Sequence, residues 1–290
     1  MEVGRVAVIG AGTTGRGIAH AASLGGFRVM LQDVNSEMLE NALEGIRKEM
    51  QRAVERDRLD EGAMREGLER IAPTESLKEA VEEADFVIEA LPEEMELKLE
   101  IFGRLDERCP ERAVLATNTS TMSPTEIAAA TSSPERCIAM HFFNPAHKMK
   151  LVELVRGLET ADETVEVARN VAERMGKETV EVEEFPGFVT RRINCLVGSE
   201  AMNMLVEGVA SAADIDKALR FGLGCPMGPL ELADLVGLDA RLRNLEYLHQ
   251  TLGEKYRPSP LLYKLVAAGH YGRKSGRGIC EYDEDGNTVR

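Results

Sequence analysis

The chain has 290 residues, enough for two domains of ordinary size with a proper core, and its 35 Lys and Arg against 50 Asp and Glu leave a formal net charge of -15. That excess repels phosphate backbones and argues against nucleic acid as a partner, so an anionic ligand has to be met by locally placed cations or backbone N–H groups. No apolar run approaches the roughly 18 to 20 residues needed to span a bilayer, which predicts a protein without a membrane segment.

Residues 5–10 (RVAVIG) form a short apolar run of the kind that makes a buried strand. It begins so early that no cleavable leader is expected before it. The run leads straight into Gly10-Ala11-Gly12-Thr13-Thr14-Gly15 and an apolar helical stretch at 18–24, and a second strand, 28–33, ends on Asp33. Between 35 and 70 the pattern becomes charged and helical, with Met and Leu at spacings of three and four and a break near 57–60. This predicts a helical hairpin inserted after the second strand.

Further β-branched runs at 85–90, 113–118, 137–142, 150–156 and 179–183 alternate with helical stretches. Such alternation predicts an α/β fold with a mostly parallel sheet. From Pro186 onward strand signals vanish, and helical stretches are broken at 222–229, 258–260 and 269–278. The expected architecture is an N-terminal Rossmann domain, 1–185, carrying the helical-hairpin insert, followed by an all-α C-terminal domain, 186–290. Cys109, Cys137, Cys195, Cys225 and Cys280 show neither CxxC nor secreted-framework spacing, so they are expected to be core thiols of a cytoplasmic protein.

The glycine run has a physical purpose in this setting. Gly10, Gly12 and Gly15 would give a tight turn, a backbone approach to pyrophosphate and close helix-to-strand packing, with Thr13 and Thr14 on the same turn. The helix start supplies N–H donors and a positive dipole end. Asp33 falls roughly 20 residues downstream, where a carboxylate accepts from the ribose hydroxyls and repels a 2′-phosphate. The expected cofactor is therefore NAD rather than NADP.

His141 closes the apolar run CIAMH, at the strand end where open α/β sheets hold ligands. Glu153 sits inside another apolar run, KLVELV, where a carboxylate is costly without a partner. A His–Glu pair accounts for both: the carboxylate orients the imidazole while the ring removes a hydroxyl proton. Asn118-Thr119-Ser120 can place a hydroxyl beside the nicotinamide end. No metal-ligand spacing is present, and none is expected.

GAGTTGRGIA at Gly10, NTSTMSPTEIA at Asn118, HFFNPAHKMKLVELV at His141, FPGFVTRRI at Phe185, PMGPLELADLVGLD at Pro226 and GRKSGRGI at Gly272 together resemble the L-3-hydroxyacyl-CoA dehydrogenase family, most closely its short bacterial 3-hydroxybutyryl-CoA members. The resemblance covers essentially the whole chain. It implies that His141 is the general base with Glu153 as its partner, that Ser120 and Asn144 contact substrate or cofactor near the reacting carbon, and that Glu93, Lys98 and Lys274 lie near NAD. It also implies an acyl-CoA substrate and a homodimer formed through the second domain, where apolar stretches at 193–197, 202–206 and 230–238 could equally be core. For the CoA phosphates the candidates are Arg47, Lys48, Arg52 and Arg56, of which Arg56 matches a CoA-contacting position loosely. A solvated charged helix face is the competing reading.

Two positions depart from the family pattern. Thr14 stands where Met is common, and Arg191-Arg192 follows Thr190 where the family presents Asn and then Arg. A guanidinium is bulkier than an amide, permanently charged and unable to accept a hydrogen bond. Arg191 therefore keeps two alternatives open beside the acyl-CoA dehydrogenase: an enzyme for a free 3-hydroxy acid that holds the carboxylate with Arg191, and a catalytically weak NAD-binding protein.

Overall fold

A computed structural model describes residues 2–289, and the chain divides between Phe185 and Pro186 into two compact units. The first unit is built on eight strands: β1 (Arg5–Ile9), β2 (Arg28–Gln32), β3 (Ile71–Thr74), β4 (Phe86–Glu89), β5 (Val114–Thr117), β6 (Cys137–Phe142), β7 (Leu151–Arg156) and β8 (Glu178–Glu183). They form one sheet in the order β3-β2-β1-β4-β5-β6-β7-β8, parallel throughout except for the antiparallel pairing of β6 with β7. Central strands such as β1 and β4 are buried on both faces because helices cover both, as a parallel sheet requires.

The helices of this unit are α1 (Thr13–Leu24), α2 (Ser36–Val54), α3 (Glu61–Glu69), α4 (Leu77–Val81), α5 (Met95–Arg108), α6 (Pro124–Ala128) and α7 (Asp162–Arg174). One core lies on the α1, α2 and α7 side of the sheet around Ile18, Phe27, Ile46, Ile138 and Leu154. The other lies on the α4, α5 and α6 side around Ile9, Phe102, Leu105, Leu115 and Ile127. The helical hairpin is α2 and α3: Asn35 caps α2 by accepting from Glu37 N and Met38 N, and Asp60 caps α3 by accepting from Ala63 N. The break between them includes Asp57 at φ 54°.

The sequence reading omits one strand, β3. Its four residues, IAPT, carry a proline, which argues against a central strand but is tolerated at a sheet edge, where β3 lies.

The second unit is helical: α8 (Thr190–Val206), α9 (Ala212–Gly222), α10 (Pro229–Val236), α11 (Leu238–Leu252) and α12 (Pro260–Ala267). Its core gathers Cys195, Met202, Leu230, Leu238, Leu245, Tyr256 and Leu262. Among the described residues of this unit, the only pairing of strand type is three isolated bridges near the C-terminus. Those turns are held by buried Asp234, which accepts from Ile279 N, Cys280 N and the Tyr282 hydroxyl. Cys109, Cys137 and Cys195 are buried and Cys225 and Cys280 half-buried, all unbridged. Among the described residues, no helix is long and apolar enough to cross a membrane.

Candidate active site

The sheet order reverses direction between β1 and β4, and the crevice above their carboxyl ends is where such sheets take ligands. Gly10, at φ 101°, leaves β1 so close to the next loop that a Cβ would lie 2.8 Å from Ala90 O. Gly15 packs tighter still, with a Cβ position 1.8 Å from Gly10 O. Above Gly12 nothing lies within 4 Å. The start of α1 has no side-chain cap and no acidic residue in its first turn, so its N–H groups and dipole are directed at whatever fills the turn. Thr13 is exposed there and Thr14 half-buried. This is a cradle that fits a pyrophosphate.

Asp33 follows β2, and its carboxylate accepts from Ala11 N at 2.8 Å and Asn35 N at 3.1 Å, one bond on each oxygen. It thereby ties the glycine turn to the end of β2 and retains lone pairs for two ribose hydroxyls.

The antiparallel register places His141 of β6 directly opposite Glu153 of β7, so the two side chains share a face of the sheet. His141 Nδ1 lies 2.7 Å from Glu153 Oε2. Glu153 is fully buried and His141 is 6% exposed, with the Phe143 ring tilted against the imidazole at 4.4 Å. A neutral imidazole that donates its Nδ1 proton to this carboxylate presents a lone pair at Nε2. The pair is equipped to take one proton from a substrate and to stabilise the imidazolium that results.

The Asn118–Met122 loop is organised by Glu93. Its Oε1 accepts from the Thr119 hydroxyl at 2.7 Å, from Ser120 N at 2.9 Å, and from the Ser120 and Thr121 hydroxyls at 3.3 and 3.2 Å. Partial burial pushes the Glu93 carboxyl upward, but the Ser120 amide, the Thr119 hydroxyl and the nearby Lys98 charge outweigh it and leave the group below its ordinary range. Asn118 Oδ1 accepts from Phe142 N, joining this loop to the strand that carries His141.

Beneath the loop, Lys98 meets a buried partner, Glu89, that was not among the residues expected from the sequence. Lys98 is wholly buried, 2.8 Å from each oxygen of Glu89, 3.2 Å from Asn118 O and 3.8 Å from Glu93. Glu89, also fully buried, accepts in addition from Leu91 N and the Thr117 hydroxyl, both at 2.6 Å. Burial raises the Glu89 pKa against the opposing pull of Lys98. The signal was available: FVIE places a carboxylate in an apolar strand, the same clue that singled out Glu153.

The remaining candidates are placed as follows. Asn144 is exposed in the loop after β6, where its Oδ1 accepts from the Thr14 hydroxyl at 3.2 Å. Arg56 is exposed in the turn after α2, while Lys48 and Arg52 pair within the helix with Glu44 and Glu49. Arg191 lies in the first turn of α8 in the second unit, near enough to buried Arg241 for its charge to depress that residue's pKa after the larger effect of burial. Lys274, also in the second unit, is 2.5 Å from Asp239. The structure thus brings together Gly10, Gly12, Asp33 and Asn144 around the start of α1, Ser120 with Glu93 and Lys98, and His141 with Glu153.

Comparisons with known proteins follow the same lines. A family model described as 3-hydroxyacyl-CoA dehydrogenase, NAD binding domain, matches residues 5–185, and one described as the C-terminal domain of the same family matches 187–282. A probable 3-hydroxybutyryl-CoA dehydrogenase of Bacillus subtilis is 47% identical over 285 residues, covering 98% of this chain and 99% of its own. The 3-hydroxybutyryl-CoA dehydrogenase of Bradyrhizobium diazoefficiens is 43% identical, covering 96% of this chain and 95% of its own. Among solved structures, the (S)-3-hydroxybutyryl-CoA dehydrogenase of Ralstonia eutropha superposes with a TM-score of 0.94 at 38% identity, over 98% of this chain and all of the other.

Proposed function

Because this chain belongs to the 3-hydroxyacyl-CoA dehydrogenase family, we propose that it catalyses the reversible, NAD-dependent oxidation of (S)-3-hydroxybutyryl-CoA to the 3-oxoacyl thioester. The observation that carries this reading is the His141–Glu153 pair, 2.7 Å apart where β6 ends and the antiparallel β7 begins. His141 Nε2 takes the proton of the 3-hydroxyl, and the Glu153 charge holds the ring in place and offsets the positive charge it acquires. NAD, when bound, supplies the acceptor for the hydride that leaves C3.

The residues that would hold it are the Gly10–Gly15 turn for the pyrophosphate, Asp33 for the adenosine ribose and the Glu93 loop for the nicotinamide end. Lys98 acts from below, on Glu93 and Asn118. Ser120 and Asn144 address the substrate carbonyl region. In this scheme residues 1–185 bind NAD and 186–290 contribute to substrate binding and dimerisation; Lys274 belongs with the cofactor-binding residues, and Arg191 and Arg56 with the substrate-binding ones, Arg56 for a CoA phosphate.

A homodimer and a cytoplasmic location belong to the same proposal. Exposed Ile193, Val206, Phe221 and Leu223 in the second unit support the dimer, and light scattering on the purified protein measures it. The printed names of the relatives favour a thioester over a free 3-hydroxy acid, and the intact His–Glu pair speaks against a weak binding protein. The deciding assay is NADH oxidation with acetoacetyl-CoA against free acetoacetate. Turnover of the thioester is expected, and turnover of the free acid alone would refute the reading.

A further inference from the structure

The loop that follows His141 rests on one face of α1. Residues 14, 17 and 20 are three apart and so stand on the same side of the helix, and each touches a different point of the loop. Thr14 donates to Asn144. Gly17 lies so close to Ala146 that a Cβ there would be 3.0 Å from the alanine Cβ and 3.2 Å from its nitrogen. His20 stacks on His147, ring centroids 4.8 Å apart and planes 11° from parallel.

Lys177, the residue before β8 and only 6% exposed, donates to Ala146 O at 2.6 Å and Met149 O at 2.9 Å. Glu49 of α2 holds Lys148 at 3.1 Å and His147 at 3.5 Å. The loop is therefore gripped by the same helix whose N-terminus forms the phosphate cradle. None of Gly17, His20, His147 and Lys177 has a role in the chemistry set out above.

We propose that Gly17, His20, His147 and Lys177 are positioning residues that seat the 143–149 loop on α1, so that Asn144 and His141 are registered to the cofactor helix. The inference rests on the dehydrogenase reading. Its physical basis is the sensitivity of transfer reactions to reactant geometry: a shift of a few tenths of an ångström in the loop moves the proton acceptor relative to the hydride acceptor, while the cofactor site itself is untouched.

Gly17→Ala tests it, because the better helix propensity of alanine offsets part of the cost of the close contact and the variant should still fold. With acetoacetyl-CoA and NADH, kcat is expected to fall at least tenfold. The NADH Kd should stay within threefold, and the primary isotope effect with NADH deuterated at the transferred position should rise. Adding Ala146→Gly, which removes the opposing methyl, should recover at least threefold in kcat. Lys177→Met should behave like Gly17→Ala, with Lys177→Arg partly restoring activity.

Hydrogen exchange on the ligand-free protein gives a readout independent of turnover: the amides of Lys148 and Met149, both bonded to Pro145 O, should exchange faster in Gly17→Ala and Lys177→Met. Parental kcat and isotope effect in both variants would overturn the proposal, as would unchanged exchange or a loss of kcat that Ala146→Gly does not relieve. Failure of the parent to turn over acetoacetyl-CoA would instead overturn the proposed function, and the exchange experiment would still report on the seat.

Discussion

Lys98→Met isolates the energetic role of the buried charges beneath the candidate site. In the parent, Glu89 accepts four hydrogen bonds, two of them from Lys98. Methionine fills most of the volume but leaves a fully buried carboxylate with only Leu91 N and Thr117 Oγ1. Removing one partner of a buried ion pair costs about 3–5 kcal/mol. For a domain of this size each kcal/mol corresponds to about 2–4 °C in Tm, so a fall of about 6–20 °C is expected. Glu89→Gln combined with Lys98→Met removes both charges and should recover at least about 2 kcal/mol of the loss.

The pH dependence gives a second signature. Burial already raises the Glu89 pKa, and the variant lacks the cation that opposes it. The folded state then binds the proton more tightly than the unfolded state, so stability is lost as pH rises above the ordinary carboxylate range. Lys98→Met should be more stable at pH 5 than at pH 7, measured against the parent by urea unfolding followed by circular dichroism. A single variant as stable as the parent, or a double variant no better than the single, would refute the argument that Lys98 offsets a buried charge.

Three other outcomes are expected. Glu153→Gln keeps a hydrogen-bonding side chain opposite His141 but removes the charge, and kcat should fall about 10²–10⁴-fold with NADH affinity nearly unchanged, as stopped-flow binding and steady-state rates will separate. Asp33→Arg should weaken NAD and improve NADP, read as the ratio of kcat/KM for the two reduced cofactors, since the carboxylate that repels a 2′-phosphate becomes a cation. Burial, reinforced by the charges of His147, Lys177 and Lys148, holds His20 down at about 4, so its contribution is present above the unfolded value of 6.5 and is lost as pH falls towards 4. That amounts to about 2 kcal/mol between pH 7 and pH 5, and His20→Gln should flatten the decline in denaturant midpoint over that window.

Local patterns made much of this protein legible. The run RVAVIG followed by GAGTTG specifies strand, turn and helix within fifteen residues, because each step is decided by neighbours in the chain. The hairpin of α2 and α3 was readable for the same reason: its Met and Leu spacing and the break near 57–60 are local. The edge strand β3 was not, since IAPT becomes a strand only by pairing with β2 across an intervening hairpin. Glu153 drew notice as a carboxylate in an apolar run, whereas Glu89, in an equivalent run, went unread.

The candidate residues could therefore be named from the sequence, but the relations among them were decided by tertiary structure. No periodicity states that β6 and β7 run antiparallel with His141 opposite Glu153, because strand register depends on contacts between segments separated by a loop. Nor does any local rule bury Lys98 between Glu89 and Glu93, or stack His147 on a helix more than a hundred residues earlier in the chain. Such contacts form only when the sheet orders distant strands side by side, and there a residue's partners, rather than its type, fix its charge state and its role.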